Sequence, residues 1–131
     1  MNDFGGKRVL VVEPDSWARR LLIDFFRGEG FEADGAADAH GALACAGQFD
    51  PHLLLSNYQL SAGLNGVDLA LALRELKSDL ALVFLSKLPE QDLSVLPTAD
   101  RLIGAKYCSS DSDFDVANLL GSVKLALAAA R

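Results

Sequence analysis

The chain is predicted to fold as an α/β domain, a three-layer α/β/α sandwich around a parallel sheet. Three observations predict it. Short apolar runs, above all Val9-Leu10-Val11-Val12 and Leu53-Leu54-Leu55-Ser56, have the continuous hydrophobicity of strands buried on both faces. Stretches with helical spacing lie between such runs, the alternation that builds parallel βαβ units. Both runs also close on polar residues, Glu13-Pro14-Asp15 and Asn57. The C-terminal ends of neighbouring parallel strands share one crevice, which is where open α/β sheets place their chemistry.

The elements follow in order. After the first strand, Asp15 or Ser16 caps a helix whose apolar positions Trp17, Leu21, Leu22, Phe25 and Phe26 recur at helical spacing, and Gly28 and Gly30 end it. A short second strand spans 31–35, and Asp38 caps an Ala-rich helix to about Gly47. The third strand covers 52–56, with a loop from Asn57 to Asn65. A third helix over 66–77 puts Val67, Leu69, Ala70, Leu73 and Leu76 largely on one face. The fourth strand is 80–85. Pro89 and Pro97 then interrupt the pattern. A proline inside a helix costs about 3 kcal/mol but is tolerated at the first helical position. The fourth helical region is therefore expected to be irregular, either two short turns or a displaced helix starting near Pro97. A fifth strand is expected over 106–109. Ser112 then caps a last helix, 114–130, with Asp115 completing a box-like pair and an inward stripe of Phe114, Ala117, Leu120, Val123 and Leu127.

Length and composition bound the function. The 131 residues make one domain, 1–131, with half of them hydrophobic and no repeats or linker. Net charge is -6 and the basic residues are scattered, which disfavours nucleic acid as a partner. No helix-turn-helix follows, so no output module is expected within the chain. No apolar stretch approaches membrane-spanning length and residues 1–8 lack a signal-peptide core, so a cytoplasmic protein without a membrane partner is expected. Cys45 and Cys108 read as free thiols used as small packing residues, and His40 and His52 have no acid or cysteine at ligand spacing.

Five segments, in order, carry a resemblance. They are the first strand with its Glu13-Pro14-Asp15 end, then Phe49-Asp50-Pro51-His52-Leu53-Leu54-Leu55-Ser56-Asn57-Tyr58-Gln59-Leu60, then the glycine turn Gly63-Leu64-Asn65-Gly66-Val67-Asp68-Leu69, then Leu82-Val83-Phe84-Leu85-Ser86, and Gly104-Ala105-Lys106-Tyr107, one residue shorter than usual. Together they resemble the receiver domain of two-component response regulators over nearly the whole chain. The resemblance implies a five-stranded parallel sheet of flavodoxin-like order 2-1-3-4-5.

It also implies a site, and the residues depart from it. In that family a pair of acids after the first strand holds Mg²⁺, and an aspartate ending the third strand accepts a phosphoryl group. Here Asn57 stands at the phosphoacceptor position, and an amide is a poor nucleophile with no charge for a metal. Glu13 keeps one acid, Pro14 takes the place of the second, and Asp15 lies one step further along, where it serves better as a helix cap. The lysine position falls on Ser110, or Ser109 if the register slips, while Lys106 is not obviously aimed at the pocket. Ser86 matches the switch hydroxyl and Tyr107 the switch aromatic. No cofactor is implied, with at most weak Mg²⁺ binding at Glu13.

The expectation is a pseudo-receiver, not an enzyme: a two-component phosphorelay module that engages a histidine kinase, a phosphotransfer protein or another regulator without aspartyl phosphorylation. The last helix, through Leu119, Leu125, Ala126, Ala128 and Ala129, is expected to offer a partner or homodimer surface. The alternative is a phosphoaccepting receiver with an unconventional acceptor, Glu13 or a deamidated Asn57, though the bulky Tyr58 makes deamidation slow.

Overall fold

The computed structural model describes residues 4–60, 65–88, 104–110 and 114–130. Their elements run β1 (Arg8–Val12), α1 (Ser16–Gly28), β2 (Glu32–Ala36), α2 (Ala39–Phe49), β3 (Leu53–Asn57), α3 (Gly66–Leu76), β4 (Ala81–Ser86), β5 (Lys106–Ser109) and α4 (Val116–Ala129). All four strand pairings are parallel, and the sheet order is β2-β1-β3-β4-β5. This is the expected α/β/α sandwich. The expectations placed on Pro89, Pro97, the Gly63-Leu64 turn and the Ser112 cap lie outside the described residues.

Strand alternation sorts the core into two halves. One face of the sheet (Val9, Val11, Leu53, Leu55, Val83, Leu85) packs against Leu22 and Phe26 of α1 and Leu119, Val123, Ala126 and Leu127 of α4. The other face (Leu10, Val12, Leu54, Leu82, Phe84) packs against the alanines of α2 and Leu69, Ala70 and Leu73 of α3. The central strands β1, β3 and β4 are almost wholly buried, as continuous apolar runs require.

Local chemistry sets the helix ends. Asp15 caps α1 by accepting the Trp17 N–H, Asp38 caps α2 through the Gly41 N–H, and Asp115 caps α4 through the Ala117 N–H. Asn65 and Asp68 form a reciprocal capping box at the start of α3. Beyond α1, Gly30 has φ +94°, a left-handed turn that lets the Phe31 N–H reach back to the Phe26 carbonyl and feeds β2 into the sheet.

Three helix faces differ from expectation. Trp17 and Leu21 were expected to face the core, but they are 72% and 54% exposed. The buried line of α1 is Leu22–Phe26, and at about 100° per residue Leu21 lies well round from it, with Trp17 beside Leu21 on its own stripe. Leu76 is 79% exposed because it is the last residue of α3, beyond the part that covers the sheet. In α4 Val123 and Leu127 are buried as expected and Leu120 is half-buried, but the start of the expected stripe is not. Leu119, Val123, Ala126 and Leu127 are buried, whereas Phe114 and Ala117 are exposed. The Val/Ala/Leu-rich sequence of α4 carries few charges to mark its outer face. Leu119 and Ala126 are therefore core residues; Leu125, Ala128 and Ala129 remain on the surface.

Candidate functional site

The site lies at the C-terminal edge of the sheet, where β1, β3 and β4 deliver Glu13, Asn57 and Ser86. At the end of β1, the Glu13 N–H is held by the Ala36 carbonyl at 3.1 Å, and the Glu13 carbonyl accepts from Arg19 Nη1 at 2.8 Å. Pro14 contributes neither charge nor N–H. Around it the chain folds back so that the Asp15 N–H donates to Glu13 Oε2 at 2.9 Å, while Asp15 Oδ1 accepts the Trp17 N–H at 3.0 Å. Each acid thus has one oxygen engaged by a neighbouring backbone N–H.

At the end of β3, the backbone of 57–58 is clamped. Ser56 is fully buried and its Oγ–H donates to the Asn57 carbonyl at 2.9 Å. The Tyr58 N–H donates to the Leu85 carbonyl and the Gly66 N–H to the Tyr58 carbonyl, both at 2.7 Å. Gly66 presses so closely that a Cβ there would overlap the Asn57 carbonyl oxygen and come within 3.2 Å of Ser56 Oγ and the Phe84 ring. Its lack of a side chain is what lets α3 start against the site. The Asn57 side-chain amide makes no hydrogen bond among the described residues, although it lines the central cavity.

β4 and β5 complete the crevice. Ser86 is buried; its hydroxyl accepts the Leu88 N–H at 3.2 Å, and its carbonyl takes the Ser110 N–H at 2.7 Å and Ser110 Oγ–H at 3.2 Å. Ser109 pairs with Ser86 in the ladder and donates to the Leu88 carbonyl at 2.6 Å. Ser110, not Ser109, lines the cavity. Lys106 is exposed at the opposite end of β5, opposite Val83, and takes no part.

Glu13, Asp15, Asn57, Ser86 and Ser110 therefore share one cavity of about 780 Å³. It also includes Lys87, which the sequence reading missed in looking for a cation only on the fifth strand. A lysine directly after the polar residue that ends an apolar strand was the available signal. Among the described residues Lys87 forms no ion pair, and no cluster of three His, Cys, Asp or Glu could hold a metal. Tyr58, on the cavity wall, lies 6.3 Å from Tyr107 between ring centroids, and Tyr107 stacks on the buried Phe84 at 5.3 Å. Burial, with Tyr58 close by, pushes the Tyr107 hydroxyl above its ordinary pKa. Tyr107 thus lies on the α2/α3 side of the sheet, half-buried.

The opposite edge holds a different cluster. Asp50, in a left-handed conformation at φ 49°, is paired with Arg8 at 3.3 Å and Lys77 at 3.1 Å. The hydrogen bond from Lys77 holds its carboxyl below the usual range. His52 Nδ1 accepts the Arg8 N–H at 3.0 Å. Its pKa is depressed by burial first and then by Arg8, Lys7 and Lys77. Cys45 lies 3.7 Å from Asp34, and burial, followed by that carboxylate, raises its pKa. Both histidine and cysteine act in packing rather than at the crevice.

Solved structures with this fold are numerous. A sensor protein from Polaromonas superposes with a TM-score of 0.79 at 23% identity, covering 95% of this chain and 98% of that one. A response regulator receiver domain protein from Clostridium thermocellum gives 0.78 at 14%, covering 94% and 95%. The response regulator protein TrrA from Thermotoga maritima, in complex with Mg²⁺ and BeF, gives 0.67 at 27%, covering 91% and 98%. No family profile and no curated protein matches the sequence. No helix among the described residues is long and apolar enough to cross a membrane.

Proposed function

We propose that this chain, structurally similar to the receiver domains of two-component systems, is a cytoplasmic signalling module that works by presenting a surface, without phosphorylation at residue 57. The observation that carries this is the composition of the crevice. At the end of β3 an amide faces the cavity; Pro14 and Ser110 flank it where phosphoryl transfer needs a metal-binding acid and a cation. Each of the two surviving acids has one oxygen engaged by a backbone N–H. The Ser86 hydroxyl accepts the Leu88 N–H, which ties the switch position to its own loop.

The working surface in this reading is the outer face of α4, where Leu125 is 63% exposed beside Ala128 and Ala129. Its partner is a histidine kinase, a phosphotransfer protein, another regulator or a second copy of the chain. It is not an enzyme, and its negative charge and scattered lysines and arginines suit neither nucleic acid nor a membrane.

Intact-mass measurement after incubation with Mg²⁺ and acetyl phosphate tests the proposal. The wild type and Asn57→Asp are expected to gain no phosphoryl mass, the latter because Pro14 still leaves the metal short of an acid and Ser110 still stands at the lysine position. A triple variant, Asn57→Asp with Pro14→Asp and Ser110→Lys, is expected to gain it. Phosphoryl uptake by the wild type would sink the reading, and mapping the adduct would decide between Glu13 and a deamidated residue 57.

A further inference from the structure

The crevice holds charges of both signs that do not neutralise one another. Elsewhere this protein brings opposite charges together: Arg8 and Lys77 both close on Asp50 within 3.3 Å. At the cavity, Glu13 and Asp15 sit at the β1 end and Lys87 at the β4 end, and no ion pair joins them. β3 runs between those two strands, so the strand ends bearing the acids and the lysine are separated by about 10 Å, two strand spacings. Asn57 stands between them with its amide donors and acceptor unspent. The acids are held in place, each by one backbone N–H, which leaves a second oxygen on each for a ligand. Leu85 and Tyr58 supply apolar wall, and the volume of about 780 Å³ falls within the range of small-molecule sites.

We propose that this cavity binds an amino-acid-sized zwitterion. Its ammonium group is taken by Glu13 and Asp15, its carboxylate by Lys87 and the Asn57 amide, and its short apolar body lies across Leu85 and Tyr58. This deepens the proposed function and rests on it: a crevice that no longer handles a phosphoryl group becomes a sensor of a small molecule. Tyr58 lines the cavity and lies beside Tyr107, so an occupant would bear on the β5 ring that stacks on Phe84.

The probes are δ-aminovalerate and its two one-ended analogues, pentylamine and valerate, titrated into the ¹⁵N-labelled protein and followed by amide shifts and calorimetry. δ-Aminovalerate is expected to bind roughly tenfold or more tightly than either analogue, since each end contributes a charge-assisted contact. Its shifts should centre on Asn57, Tyr58 and Lys87. Lys87→Gln is expected to reduce it to the level of pentylamine, and Glu13→Gln, which still accepts the Asp15 N–H, to the level of valerate. Equal affinity for all three compounds, no binding of any, or a preference unchanged in both variants would overturn the proposal while leaving the proposed function intact. Phosphoryl uptake by the wild type would remove both.

Discussion

Replacing Gly66 by alanine and Gly121 by alanine is the same chemical change, and the structure gives it opposite signs. At Gly66 the added methyl meets the Asn57 carbonyl oxygen, Ser56 Oγ and the Phe84 ring, all parts of the sheet edge rather than the ends of flexible side chains. Overpacking of that kind costs about 1–3 kcal/mol. At Gly121, exposed in the middle of α4, a Cβ meets nothing within 4 Å. Alanine there gains about 0.5–1 kcal/mol by helix propensity. With 131 residues, 1 kcal/mol corresponds to a shift of about 4 °C in the melting temperature. Gly66→Ala should therefore melt about 4–12 °C lower than wild type and Gly121→Ala about 2–4 °C higher. Thermal denaturation followed by circular dichroism measures both, and urea titration should show the midpoint moving with an unchanged slope. The Gly66 variant should also shift the Tyr58 amide resonance, since the backbone at 57–58 must yield. If Gly66→Ala melts within a degree of wild type, or both variants move the same way, the close approach of α3 to the site is not what positions residue 57.

Two further outcomes follow from packing and protonation. The neutral His52 ring accepts the Arg8 N–H, and its folded pKa lies below its ordinary value. Its contribution is therefore complete above about pH 6.5 and lost as the pH falls through the folded pKa. Urea titrations at pH 7 and pH 5 should show the wild type losing more stability than His52→Gln, and equal losses would refute the assignment. The carboxyl of Asp50 is held below the usual range and stays ionised across that interval. In α4, Leu119 is fully buried and Leu125 is 63% exposed. Leu119→Ala should cost about 2–5 kcal/mol and Leu125→Ala less than about 0.5. Leu125→Glu should abolish self-association or partner capture without lowering the melting temperature, and sedimentation velocity beside calorimetry reads both.

The sheet was legible because its central strands are apolar throughout, and burial on both faces leaves no other reading for runs such as 9–12 and 53–55. Helix ends were legible where a short polar side chain precedes an apolar period, as at Asp15 and Asp38. Facing was less so. In α1 the apolar residues occupy more of the circumference than the sheet can cover, so Trp17 and Leu21 read as core and lie outside it. In α4 an almost uncharged helix fixed Val123 and Leu127 but left the rest of its inner face open. Lys87 was missed for a different reason: the cation was sought at one strand by register, whereas any strand ending at the crevice can supply it. Strand order brings β1, β3 and β4 side by side, and only that juxtaposition makes residues 13, 57 and 87 neighbours.

The departures at the crevice are also linked by electrostatics. Three carboxylates converging on one cavity repel one another, and such a group is tolerable when a divalent cation offsets it or when protonation removes a charge. Glu13 and Asp15 already place two there. An aspartate at 57 would add a third next to a proline with no side-chain ligand for a metal, with Lys87 the one cation lining the cavity among the described residues. An amide at 57 keeps the shape of the side chain and its acceptor oxygen while removing the charge, and adds donors that an aspartate lacks. Asn57 thus keeps a third charge away from Glu13 and Asp15 and gives the crevice a neutral side chain that both donates and accepts. A charged residue 57 would crowd a third carboxylate against Glu13 and Asp15, and a neutral amide is the arrangement that the surrounding residues favour.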